Sequence, residues 1–116
     1  MKKYAILFLL FTCFFATRAK AQTDETQPKV TVDNSKVKVT QYYSMPGKDV
    51  CGKGKHSHPA HLTVLLTDAK VTITDESGKV STQIVPAGTT FWSAAGTHEV
   101  VNSGKMPIKL LIIETK

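Results

Sequence analysis

From residue 30 onward the chain alternates apolar and polar positions in short runs. Val30 and Val32, then Val37 and Val39, recur every second residue, the period of a strand with one covered face. Tyr42 and Tyr43 follow, one ring turned inward, before Met45-Pro46-Gly47 turns the chain. Leu62 to Leu66 reads as a buried strand, and Val71 to Thr74 as the next. Asp75-Glu76-Ser77-Gly78 predicts a hairpin turn, with Val80, Thr82 and Ile84 alternating on the return strand. Pro86-Ala87-Gly88 turns the chain again. Thr89 to Trp92, rich in β-branched and aromatic residues, predicts a strand whose Phe91 and Trp92 belong to the core rather than to a substrate wall, with one of the two turned outward by alternation. Gly96 interrupts, Val100-Val101 continues, and Lys109 to Glu114 closes the series. No stretch beyond residue 21 carries the three-to-four spacing of an amphipathic helix. Many short strands with frequent turns predict an all-β sandwich or barrel.

The N-terminus has a different character. A basic Met1-Lys2-Lys3 precedes an apolar run from Tyr4 to Thr17, and Ala19-Lys20-Ala21 offers small residues at the two positions a signal peptidase reads. Residues 1–21 are therefore expected to be a signal peptide, cleaved before Gln22. The alternative, an uncleaved anchor, needs a longer span of roughly 20 apolar residues. Export to the periplasm or the exterior follows as the expected localisation, with no membrane attachment after cleavage. Gln22 to Lys29 is polar and aperiodic, a flexible tether, and residues 30–116 form one folded domain.

Cleavage changes the charge. Lys2, Lys3, Arg18 and Lys20 account for four of the fifteen basic residues, so the formal net charge falls from +6 to +2. No basic run with interleaved aromatics is left to bind nucleic acid. Of the two cysteines only Cys51 remains, so no internal disulfide can staple the domain. A buried apolar role is the ordinary expectation for that thiol, and a place at the rim of a site is the functional alternative.

All four histidines fall in two places: His56-Ser57-His58-Pro59-Ala60-His61, and His98 after Gly96. Residues two apart on a strand share a face, so His56 and His58 project together with backbones roughly 6–7 Å apart. Two imidazoles at that spacing can converge on one cation through bonds of roughly 2 Å. Pro59 breaks the ladder, and the reset can bring His61 to the same point. His98 must arrive from another strand, which requires a closed β structure. His56, His58, His61 and His98 are the candidate metal ligands.

These two stretches resemble the two motifs of the cupin superfamily. Pro86-Ala87-Gly88, His98 and Asn102 match the second motif, and His56 and His58 match the histidine pair of the first. The glutamate of the first motif is missing; its place falls on His61, and Thr67-Asp68 stands where Glu-Gly usually follows. The resemblance spans about residues 42 to 114. It implies a double-stranded β-helix, or jelly-roll barrel, with a metal held in its mouth by His56, His58 and His98 and with His61 in the fourth position.

An imidazole in place of a carboxylate leaves such a site one negative charge short. One divalent transition metal (Fe, Ni, Cu or Zn) is then favoured over hard Mn²⁺, and a small anionic ligand is attracted. Three readings are carried forward: a metal-dependent oxygenase acting on a small anionic molecule, a non-catalytic module that binds a metal or a small ligand, and a structural or interaction domain in which the histidines are residual and no metal binds. A homodimer is expected on fold analogy and because a small sheet protein has edges to protect.

Overall fold

The structure, a computed structural model, describes residues 26–116. The expected signal peptide and the first part of the tether lie outside these residues. The described part is all strand: β1 (Lys29–Asp33), β2 (Val37–Ser44), β3 (His56–His58), β4 (His61–Leu65), β5 (Ala69–Asp75), β6 (Val80–Val85), β7 (Thr90–Ser93), β8 (Gly96–Asn102) and β9 (Ile108–Thr115). β1 begins at Lys29, the last residue assigned to the tether from sequence.

The strands form two antiparallel sheets, ordered β1-β2-β9-β4-β7 and β3-β8-β5-β6. Alternation decides what each strand buries. On β4, His61, Thr63 and Leu65 point inward; on β9, Ile108, Leu110 and Ile112 do so. Register places Thr63 opposite Ile112 and Leu65 opposite Leu110. The facing sheet supplies Ala69 and Val71 from β5 and Val100 from β8. Val50 and Cys51, from the loop before β3, complete the buried apolar cluster, with Tyr42, Ile73 and Val85 packed against it.

Phe91 faces the barrel cavity and Trp92 does not line it, as alternation expects, but neither is buried core: they are 43% and 57% exposed. β7 is an edge strand that pairs only with β4, so its open side leaves both rings partly exposed.

The chain leaves the five-stranded sheet at Ser44 and runs along β8. Gly47 N–H donates to the Asn102 carbonyl, Asn102 N–H to Lys48, and Val50 N–H to Val100. This edge of β8 is therefore shared: residues 47–50 pair with its C-terminal half, and β3 pairs with its N-terminal half. Gly52 to Lys55 bulge out between the two pairings. Asn102, fully buried, locks the arrangement. Its Nδ2 donates to the Ser44 and Met106 carbonyls (3.1 and 2.9 Å), and its Oδ1 accepts from Gly104 N–H (3.1 Å).

Candidate metal centre

β3 and β8 bring three of the histidines together. His56 lies directly opposite His98 in the register, and His58 sits two residues along β3 on the same face. Cross-strand partners in an antiparallel pair approach within about 5.5 Å at the backbone, so the rings must meet. The centroids of His56 and His98 are 4.9 Å apart, and those of His56 and His58 are 4.6 Å apart. On the outer face, the Ser57 and Thr97 hydroxyls hydrogen-bond at 2.7 Å and fasten the same pair of strands.

The fourth member of the cluster is Cys51. Pairing of residues 47–50 with β8 carries the chain to a point where Sγ lies 3.5 Å from His56 Nε2 and 3.6 Å from His98 Nε2. The donor atoms of Cys51, His56, His58 and His98 all lie within 4.8 Å of one another. His61 stands beside this group. It begins β4 in the other sheet, its centroid is 5.0 Å from that of His58, and its Nδ1–H donates to the Pro59 carbonyl at 2.8 Å. Pro59 thus moves His61 to the facing wall of the barrel, where it is buried. Opposite it on β9, on the same face, register places Glu114. Sequence spacing gave no sign of that carboxylate, since only strand pairing connects residues so far apart.

Hydrogen bonding sets the chemistry of the rings. His56 Nδ1 lies 2.8 Å from the Gly54 carbonyl, which can only accept, so Nδ1 carries the proton and Nε2 presents a lone pair. That lone pair faces His58 Nε2 at 2.9 Å. A convergent set of neutral nitrogens and a thiol fits a divalent transition metal, and fixing the remote nitrogen by a backbone carbonyl is the usual way such a ligand is oriented.

Burial disfavours the charged forms of His58, His98 and Cys51. Burial, then the neighbouring rings of His56, His61 and His98, push His58 down to about 4, against a weak upward pull from a hydrogen bond to the Cys51 backbone. Burial and the His56 and His61 rings also lower His98. Burial, with Asp49 adding to it, pushes the Cys51 thiol up to about 12. His58, His98 and Cys51 are therefore held in their uncharged forms near pH 7.

A pH dependence follows for the metal-free protein. Above the ordinary histidine value of 6.5 both folded and unfolded states leave His58 and His98 neutral. Below it the unfolded chain takes up protons that the folded chain resists, so stability falls as pH drops toward 4. Thermal melts of chelator-treated protein between about pH 7 and pH 5, where carboxylates stay ionised, should show a decreasing midpoint. His58→Gln should flatten the slope, and an unchanged slope in that variant would contradict the assignment.

A cavity of about 320 Å³ opens from the cluster into the barrel. Its polar edge includes Cys51, His61 and His98; its body is lined by apolar side chains such as Val71, Val85 and Phe91.

Comparison with solved structures identifies this architecture. A cupin domain from Bordetella pertussis Tohama I superposes with a TM-score of 0.70 at 27% identity, covering 78% of this chain and 92% of that one. An RmlC-like cupin with a double-stranded β-helix fold from Methanocaldococcus jannaschii matches with a TM-score of 0.63 at 11% identity, covering 83% and 84%. A double-stranded β-helix protein from Klebsiella pneumoniae matches at 0.60 and 18%, covering 81% and 79%. No protein-family model matches the sequence, and no curated protein does. The chain has the double-stranded β-helix fold of these proteins, and its likeness to the Bordetella domain supports membership of the cupin superfamily.

Proposed function

We propose that this chain is a metal-binding cupin module. His56, His58 and His98 hold one divalent transition metal (iron, nickel, copper or zinc) where the barrel cavity opens, and a small molecule with an apolar body and an anionic head binds beside it. One observation carries the reading: three imidazoles and a thiol from separate parts of the chain converge to within 4.8 Å, with the His56 tautomer fixed to present its lone pair. Metal analysis of protein purified without a histidine tag should find close to one equivalent per chain. A His56→Ala/His58→Ala variant should carry almost none. Equal and negligible metal in both proteins would overturn the reading.

The cavity supports a second reading, a metal-dependent oxygenase, because it leaves room for a small substrate against His98 and His61. Iron(II) at the site would supply dioxygen activation, while the apolar lining would hold the substrate body and exclude water. Oxygen uptake by iron-loaded protein, measured with a panel of small acids and thiols, tests it; no uptake with any of them returns the function to binding. Export is part of the proposal, supported by the N-terminal sequence pattern. The exported protein should have an intact mass beginning at Gln22, and a mass beginning at Met1 would refute cleavage.

A further inference from the structure

The three matching histidines leave the fourth ligand open, because the glutamate of the first motif is absent. Two side chains compete for that place. His61 is turned to the facing sheet, with Nδ1 bound to the Pro59 carbonyl. The sulfur of Cys51 lies inside the group of converging donors, and His61 does not belong to that group. The distances favour sulfur on independent grounds. With metal–sulfur bonds of about 2.3 Å and metal–nitrogen bonds of about 2.0–2.1 Å, a tetrahedral centre separates its sulfur and nitrogen donors by roughly 3.6 Å. Cys51 Sγ stands 3.5 Å from His56 Nε2 and 3.6 Å from His98 Nε2. His56 Nε2 is free to bind an ion because its ring proton sits on Nδ1, and an ion placed between the three atoms would be held by all of them.

We propose that Cys51 is a metal ligand, and that the site is a three-histidine, one-thiolate centre for a soft or borderline ion, zinc or copper. The assignment rests on the metal-binding reading above. On binding, the S–H bond breaks, the sulfur lone pair goes to the metal and the proton leaves to solvent. The thiolate supplies the one negative charge that the missing glutamate would have brought. Three neutral imidazoles with a thiolate leave a divalent ion at the same net charge as three imidazoles with a carboxylate, but with a softer donor. The approach loop is arranged to deliver that sulfur: Val50 N–H holds the Val100 carbonyl at 2.9 Å, one residue before Cys51.

Cobalt(II) serves as the probe, because thiolate ligation gives it a near-ultraviolet sulfur-to-cobalt charge-transfer band that nitrogen and oxygen ligands do not. Tag-free, chelator-treated protein titrated with cobalt should develop this band together with the intense visible bands of a tetrahedral ion, saturating at one equivalent. The wild-type spectrum needs no variant. Cys51→Ser should lose the band and bind zinc at least about a hundredfold more weakly, the upper end of what changing even an outer-shell partner costs. Its far-ultraviolet dichroism should match the wild type. Cobalt binding without the charge-transfer band, or zinc affinity unchanged in Cys51→Ser, would overturn the thiolate and leave the histidine site standing. Failure of the wild type to bind either metal would overturn both.

Discussion

Replacing Gly52 by alanine is expected to lower metal affinity by about a hundredfold while leaving the barrel folded. A methyl group at Gly52 would sit 2.7 Å from both Cγ and Cδ2 of His56 and 3.0 Å from its Nδ1. Carbon atoms in contact settle near 3.5–4.0 Å, so the clash cannot be absorbed in place. The contact is with the root of the ring, so His56 must swing as a whole. That motion breaks the Nδ1–H bond to the Gly54 carbonyl and withdraws Nε2 from the cluster. Gly54→Ala is the informative comparison. It has nothing within 4 Å of its added carbon but a φ of +57°, so it should cost roughly 1–2 kcal/mol in backbone strain and spare the ring. Zinc affinity measured by competition with a chromophoric chelator separates the two. Wild-type affinity in Gly52→Ala would mean that His56 is not a ligand, or that the loop yields more readily than its pairing with β8 indicates.

Asn102→Ala should be the most damaging single change outside the apolar core, lowering stability by about 2–3 kcal/mol and the melting midpoint by roughly 10–20 °C. Asn102 is fully buried, and its amide ties three backbone groups: the end of β2 at Ser44, the β8–β9 turn at Met106 and the N–H of Gly104. Truncation leaves two carbonyls and an N–H without partners in a space too closed for water to replace them freely. Asn102→Asp isolates the donors, since it keeps an acceptor for Gly104 and loses Nδ2. It too should be destabilised, because a carboxylate cannot donate to the Ser44 and Met106 carbonyls. Thermal or urea melts of the metal-free protein would expose a wild-type midpoint in Asn102→Ala, which would deny the residue this structural role.

Most of the strand order is readable in the sequence because a half-buried strand advertises itself by alternation. Pro86-Ala87-Gly88 and Asp75 to Gly78 turn where their residue types require, and Gly78 and Gly88 adopt the positive φ that glycine tolerates. Asn102 was also legible, as the last residue of the second motif, and the structure shows it tying the turn through Gly104. His56, His58 and His98 follow from the same logic, with strand register supplying the convergence. Cys51 was harder to place. Its position depends on residues 47–50 pairing along β8, and that stretch of lysines and glycines has no apolar period to announce it. One outward ring of the Phe91–Trp92 pair follows from alternation, but the partial exposure of the inward one, Phe91, was hidden for a related reason. A strand rich in aromatics looks central, and only the sheet order reveals that β7 lies at an edge. His61 lies between these cases: its inward direction was foreseen, but Pro59 hands it to the opposite sheet.

The separation of the donors along the chain has a consequence for the polymer itself. Cys51 and His98 are 47 positions apart, and the part of the chain expected to persist after export has a single cysteine and so no covalent bridge. An ion gripping both ends acts as a reversible cross-link that closes a loop of that length. By the relation used for disulfides, such a link removes on the order of 4 kcal/mol of disorder from the unfolded chain. Given the proposed ligation by Cys51 and the proposed export, a small barrel without a disulfide would carry its staple as a bound metal, formed or released by the availability of the ion in its surroundings.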